Sequence, residues 1–240
     1  AEEKYLNWIR QRAEHIPLQQ LTGEQGFMGL TFSVNEHVLI PRQDTEILVE
    51  EVLKELHDGM RVLDMCTGSG CILLSLLHYS NDCEGLGVDL SAEALEVAGR
   101  NVLKVLTPEK AEHAHFLQSD LFEKVEGKFE IIVSNPPYIA SAEVEKLMPE
   151  VRDHEPRMAL DGTEDGLYFY RRIIEEAGKH LVSSGMLFFE IGYDQGQAVS
   201  ELMRTEGYCD VQVVQDYAGL DRVVFGTYVT VQPAPFAKSR

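Results

Sequence analysis

The chain lacks any stretch approaching the roughly 18 consecutive apolar residues that a membrane-spanning helix needs, so no membrane association is expected. It is also short of positive charge: 21 Lys and Arg stand against 40 Asp and Glu, a formal net charge of -19. Non-specific nucleic-acid affinity rests on cations that neutralise phosphates, and a field of this sign repels a long duplex. A nucleic-acid partner is therefore disfavoured. Cysteine is scarce, and Cys66, Cys71, Cys83 and Cys209 form neither a CxxC pair nor a zinc-type Cys/His spacing. Reduced structural cysteines in a cytoplasmic protein are the expectation. His113 and His115 make an H-x-H with no third ligand in sight, so no metal site is expected. The start, Ala-Glu-Glu-Lys, has neither a basic n-region nor an apolar h-region, and no secretory signal is expected.

What is present suffices for a packed core: 240 residues, 44% hydrophobic and 25% charged, ordinary values for a globular domain. Residues 1–15, with Tyr5, Leu6, Trp8 and Ile9 among charges, read as the end of an amphipathic helix. The run from Gly26 to Val34 has the alternation and glycine breaks of a β-hairpin. A helix is expected after Pro41-Arg42-Gln43, with Asp44 as N-cap, Glu46 in a capping interaction and Ile47, Leu48, Val52, Leu53 and Leu56 on the buried face.

From residue 60 onward apolar strands alternate with helical patterns. Strands are expected at 61–65, 85–89, 115–118, 131–134, 186–191, 210–214 and 222–228, and helices at 71–78, 92–105, 167–181 and 196–205. This alternation predicts a doubly wound, mostly parallel sheet. Only Gln215–Asp221 separates the last two strands. That is too short for a crossover helix, so they should pair antiparallel.

Two segments carry the chemistry. In Val62-Leu-Asp-Met-Cys-Thr-Gly-Ser-Gly-Cys-Ile72 a buried strand runs through a glycine turn into a helix. Gly68 and Gly70 let the backbone take left-handed dihedrals and let a ligand approach closely. A dinucleotide fingerprint wants a third glycine where Leu73 stands, so that motif is incomplete. Asp89 ends the next strand 21 residues after Gly68, the position that meets ribose hydroxyls in such folds. Ser119-Asp120-Leu121-Phe122 follows the third strand and is placed to border an adenine, where Asp120 could accept from the amino group with Leu121 and Phe122 as apolar wall. Asp64 either fixes the glycine loop or meets a ligand amino group.

After the fourth strand comes Asn135-Pro136-Pro137-Tyr138. Two prolines give a rigid, extended backbone, which suits a reaction that must orient a weak nucleophile. An amide or aryl-amine nitrogen has its lone pair delocalised. The Asn135 side-chain oxygen could accept one of its N–H groups and the Pro136 carbonyl the other, while Tyr138 covers the flat face of the group.

Asn135-Pro-Pro-Tyr138 resembles the (N/D/S)-P-P-(Y/F) motif of amino-group N-methyltransferases, of which adenine-N6 and glutamine-N5 enzymes are examples. Ile40-Pro-Arg-Gln-Asp-Thr-Glu46, the approach His15–Gly23, and His154–Gly162 with Asp165–Arg171 resemble segments of the release-factor glutamine methyltransferases of the HemK/PrmC type. The open sheet with a terminal antiparallel hairpin is the topology of class I S-adenosylmethionine-dependent methyltransferases. The resemblance implies S-adenosylmethionine as cofactor, S-adenosylhomocysteine as product, and a release factor as protein substrate, methylated on the glutamine of its Gly-Gly-Gln loop. It implies that Cys66, Thr67, Gly68, Ser69 and Gly70 form the cofactor loop. Asp89 and Leu90 would border the ribose and Leu121 the adenine, while Asn135 to Tyr138 hold the amide. Pro41, Arg42 and Thr45 are the candidates for closing the pocket over cofactor and substrate. Departures are Gln43, where the family has proline, and Leu121, where a larger aromatic is common. Of the family's N-terminal helical domain only the last helix remains.

The expected organisation is a remnant of that domain with its linker over 1–23, a catalytic domain with its hairpin over 24–230, and a flexible tail over 231–240, acting as a monomer. Competing readings are a ribosomal-protein glutamine acceptor, an adenine acceptor in DNA or RNA, and an inactive docking module.

Overall fold

The computed structural model describes residues 2–229. Helices α1 (Glu2–Ala13) and α2 (Leu18–Thr22) come first. The hairpin β1 (Glu24–Phe27) and β2 (Leu30–Ser33) follows, then α3 (Asp44–Glu55). The alternating part runs β3 (Arg61–Met65), α4 (Cys71–Tyr79), β4 (Glu84–Asp89), α5 (Ala92–Val105), α6 (Pro108–Ala111), β5 (Ala114–Gln118) and β6 (Phe129–Ser134). Short helices α7 (Ser141–Val144) and α8 (Pro149–Arg152) and a 3-10 turn at Arg157–Ala159 lead to α9 (Tyr168–Ala177). The chain continues through β7 (Leu181–Glu190), α10 (Gly196–Thr205), β8 (Tyr208–Gln215) and β9 (Asp221–Tyr228). No helix among the described residues is long and apolar enough to cross a membrane.

The seven-stranded sheet has the order β5-β4-β3-β6-β7-β9-β8. Its strands pair parallel from β5 to β7, and β9 is antiparallel to both its neighbours. The expected doubly wound sheet with one antiparallel strand is what forms. Its strands are apolar at consecutive positions because both faces are covered. Val62, Ile131, Val133, Phe188, Val223 and Phe225 pack towards α3 and α4. Their chain neighbours Leu63, Ile132, Leu187, Phe189 and Val224 pack towards α9 and α10. The strand order turns at β3, whose successors lie to either side, and that switch point opens a crevice beyond the strands' C-terminal ends.

Several expectations shift. Asp44 is not the N-cap of α3: Gln43 holds that position at φ −62°, ψ −34°, with no side-chain cap. The Asp44 carboxylate instead pairs with Arg222 at 3.3 Å. That −62° is the φ that proline imposes, so Gln43 adopts the backbone φ that a proline at this position would have. Leu53 and Leu56 are only half-buried, while Thr45 and Val49 join the covered face. Glu46 caps no helix. Its Oε1 accepts the Met28 N–H at 2.7 Å, holding the hairpin turn, where Met28 and Gly29 both adopt positive φ (50° and 71°), as a two-residue turn between twisted strands requires.

The helix expected over 167–181 stops at Ala177, and Leu181 already begins β7, opposite Phe129. An apolar residue just after an apolar helical stripe fits either assignment. The short helices α2, α6, α7 and α8 go beyond the sequence expectation, since four or five residues carry no periodicity. The tail over 231–240 lies outside the described residues.

Candidate active site

The glycine loop leaves β3 at a fully buried carboxylate. Asp64 Oδ2 accepts the Thr67 hydroxyl at 2.6 Å and the Leu73 N–H at 3.3 Å, so it ties the loop to the first turn of α4 from beneath. Burial drives its pKa up to about 7; the Thr67 and Leu73 hydrogen bonds oppose this, and the charge of Asp89 adds to it. Since the folded value lies above the unfolded one, Asp64 contributes stability that is complete below pH ~4 and is lost as pH rises through about 7. The neutral Asp64→Asn is therefore expected to gain on the parent between pH 5 and 8. The limiting slope is about 1.4 kcal/mol per pH unit. Denaturant unfolding at both pH values checks this, and a stability difference independent of pH would refute it.

Cys66, Gly68 and Gly70 all have positive φ, at 63°, 55° and 78°. A Cβ at Gly70 would stand 3.2 Å from Ala98 Cβ and Leu74 Cδ1, whereas one at Gly68 would meet nothing within 4 Å and would enter the open cleft that Gly68 lines. Asn101, fully buried on α5, fastens the loop to the hairpin. Its Nδ2 donates to the Ser69 carbonyl at 2.9 Å and the Ser33 carbonyl at 3.1 Å, and its Oδ1 accepts the Ser33 N–H at 2.7 Å.

Asp89 sits half-buried at the end of β4. Gly68 N–H donates to its Oδ2 at 2.9 Å and Ser91 N–H to its Oδ1 at 3.0 Å. Each oxygen keeps a further lone pair. Burial raises its pKa against the pull of the Ser91, Gly68 and Leu90 backbone donors. The cap of α5 is Ser91, whose hydroxyl accepts the Ala94 N–H, so Asp89 is not spent on capping. Asp120 pairs with Arg172 at 3.0 Å and still lines the cleft beside the buried Leu121. Phe122 departs from its expected place as cleft wall. It turns into the core and stacks on His180, ring centroids 4.8 Å apart, because Leu121 takes the left-handed turn (φ 46°) that brings it to the cleft.

At the end of β6, Asn135 Nδ2 donates to Thr45 Oγ1 at 3.4 Å. The Pro136 carbonyl accepts no hydrogen bond among the described residues. Pro137 lines the cleft, and Pro136 is buried behind it. Tyr138 turns to an adjoining shallow cleft with Gln19, Gln25 and Asp44, and Pro41 and Arg42 belong to both. Arg42 forms an ion pair with Glu155, whose side chain is 1% exposed and whose other oxygen accepts the Ile40 N–H at 3.1 Å. The pair is thus a clasp between two chain segments, buried on its Glu155 side and open to solvent at Arg42, and its loss would strand the Glu155 charge.

One cleft therefore brings together Cys66, Thr67, Gly68, Ser69, Asp89, Leu90, Asp120, Leu121, Asn135, Pro137 and Arg42. Asp64, Gly70 and Pro136 support it without lining it. Thr45 and Ser119 line it too, and so do Val38, Pro156, Met158 and Phe169, which reading the sequence did not single out. Pro156 and Met158 lie in the His154–Gly162 segment and Phe169 in Asp165–Arg171, whose resemblance was the available signal; Val38 carried none. Among the described residues no three His, Cys, Asp or Glu side chains converge as a metal site.

Residues 42–151 match the family model described as methyltransferase small domain. The chain is 44% identical over 226 residues to a release factor glutamine methyltransferase of Clostridium acetobutylicum, an alignment covering 92% of this chain and 79% of that protein. A release factor glutamine methyltransferase of Moorella thermoacetica is 45% identical over 223 residues, with 91% and 77% covered. Among solved structures, a methyltransferase from Pyrococcus furiosus superposes with a TM-score of 0.61 at 18% identity, covering 92% of this chain and 99% of its own, a likeness of fold alone. By identity above 40% across nine-tenths of its length, the chain belongs to the family of release factor glutamine methyltransferases.

Proposed function

We propose that the chain transfers a methyl group from S-adenosylmethionine to the side-chain amide nitrogen of the glutamine in the Gly-Gly-Gln loop of a peptide-chain release factor. The observation that carries this reading is the hydrogen-bond polarity at Asn135. With Nδ2 engaged by Thr45, Oδ1 is left to accept from an amide N–H, and the Pro136 carbonyl is free for the second.

The residues fit the donor. Gly68 leaves open the space a side chain would fill, Asp89 has acceptor capacity for two ribose hydroxyls, and Leu90 and Leu121 offer apolar surface to an adenine ring. Asp120, with one oxygen held by Arg172, presents the other to the adenine amino group. When bound, S-adenosylmethionine supplies an electrophilic methyl group on a sulfonium and leaves as S-adenosylhomocysteine. Asn135 and Pro136 then fix the plane of the acceptor amide and stabilise the positive charge that grows on its nitrogen. The rigidity of Pro136-Pro137 holds the attack direction. Tyr138 and Arg42, at the junction of the two clefts, guide the glutamine from the protein surface inward, and the proton leaves after transfer.

Methyl transfer from labelled donor to a purified bacterial release factor, beside a variant whose Gly-Gly-Gln glutamine is alanine, tests the proposal. Label on the first and none on the second is expected. Label on both would move the acceptor elsewhere on the factor, and label only on a ribosomal protein or an adenine would replace this acceptor.

A further inference from the structure

The loop that holds the acceptor amide has few backbone handles of its own. Pro136 and Pro137 carry no N–H, and neither of their carbonyls accepts a backbone hydrogen bond among the described residues. The first carbonyl past the proline pair belongs to Tyr138, and that one is gripped. Gln195, half-buried at the N-cap of α10, donates to it from Nε2 at 3.0 Å. The second Nε2 hydrogen reaches the Gly166 carbonyl at 3.4 Å, and Oε1 accepts the Gly192 N–H at 2.9 Å. Gln195 is itself secured by its backbone: its N–H donates to the Gly192 carbonyl at 2.9 Å, and its carbonyl accepts the Val199 N–H at 3.0 Å in the first turn of α10.

One side-chain amide therefore ties the end of β7 to the loop after β6 and to Gly166. The Tyr138 side chain is held separately, its hydroxyl donating at 3.3 Å to Glu190, which is 2% exposed at the end of β7.

Building on the function proposed above, we infer that Gln195 is a positioning residue for methyl transfer, which fixes the Asn135–Tyr138 run by its grip on the Tyr138 carbonyl. The orientation of its amide is set by its partners: the Gly192 N–H only donates, and the Tyr138 and Gly166 carbonyls only accept. The proline rings fix φ at 136 and 137, so the run is stiff, and a rotation at Tyr138 carries to the Pro136 carbonyl that is to meet the substrate N–H. Few residues can replace a glutamine here. An ionised glutamate has the same shape but no donor, and it would set a carboxylate oxygen against two carbonyls. Methionine has a similar length and bulk but no N–H to give. The positioning role and a packing role thus part company at Gln195→Met.

For Gln195→Met and Gln195→Glu, kcat on release factor is expected to fall about 10- to 100-fold, the scale of a small misplacement at the reacting groups. The KM for S-adenosylmethionine should stay within ~2-fold of the parent, since the donor cleft does not contain Gln195. Glutamate should be the worse of the two. A kcat of Gln195→Met within about 2-fold of the parent assigns Gln195 to packing and overturns the inference. Amide hydrogen exchange by NMR, with no acceptor present, gives a reading that does not depend on the reaction. The Ile139 and Gly162 N–H groups, which close the clamp behind this loop, should exchange about 10-fold faster in Gln195→Met, and Leu63 in β3 should keep its rate within ~3-fold. Unchanged exchange at Ile139 and Gly162, or an equal rise at Leu63, overturns the inference. If the parent methylates no release factor, the functional reading falls, and the exchange pattern alone decides whether Gln195 holds the loop.

Discussion

Asn135→Ala is expected to reduce methyl transfer by about 10²- to 10³-fold, the scale of removing one preorganised group that meets developing charge. Truncation deletes the Oδ1 acceptor and leaves the Thr45 hydroxyl without its partner. Donor affinity should change by no more than a few-fold, because the glycine loop, Asp89 and Leu121 are held by contacts of their own, from Asn101 to the loop and from Gly68 and Ser91 to Asp89. The split between chemistry and binding is the informative part. Calorimetric titration with S-adenosylhomocysteine and single-turnover transfer to a release factor measure the two separately. Asn135→Asp sharpens the comparison, since it keeps an acceptor but loses the donor that Thr45 holds. It should fall between parent and alanine variant. Turnover of Asn135→Ala within a few-fold of the parent would remove Asn135 from the chemistry.

The parts of this site that could be read from the sequence share one property: each is a local run whose backbone or side-chain chemistry is unusual. Gly68 and Gly70 announce left-handed turns, and both have them. Asn135-Pro-Pro-Tyr138 announces a stiff strand end. The sheet was legible because strands buried on both faces are apolar without alternation, and because seven residues cannot cross from one parallel strand to the next. What the sequence concealed depends on partners far along the chain. Glu190 looks like an ordinary strand-end carboxylate until β7 and β9 enclose it, and Thr45, expected to help close the pocket, does not show its partner Asn135, 90 positions away, until the chain folds. Phe122 and Leu121 could not be told apart by composition. One positive φ decides which of them faces the cleft.

Gly162 and Gly166 belong to the same category, motif residues for which the sequence offers no reason, and the structure supplies one. The segment from Leu160 to Gly166 clamps the loop after β6 from behind: Ile139 N–H donates to the Leu160 carbonyl, Gly162 N–H to the Ile139 carbonyl and Ser141 N–H to the Thr163 carbonyl, at 3.0, 2.8 and 2.8 Å. Gly166 has φ 72°, and a Cβ there would stand 2.3 Å from the Tyr138 carbonyl oxygen and 2.9 Å from Gln195 Nε2, which itself donates to that carbonyl at 3.0 Å. Rotamer changes cannot relieve both contacts, since one partner is backbone. Gly166→Ala therefore has to displace Tyr138 or lose the clamp. Left-handed strain costs about 1–2 kcal/mol, and with the clash a total loss of about 2–4 kcal/mol is expected. A shift near 1 Å at the amide-holding residues is expected to lower kcat about 10²-fold. Gly207 separates strain from displacement. It has φ 86°, but a Cβ there would meet nothing within 4 Å, so Gly207→Ala should show the strain in its unfolding midpoint and leave turnover alone. Equal turnover in the two variants would mean that the Leu160–Gly166 clamp does not position Asn135-Pro-Pro-Tyr138.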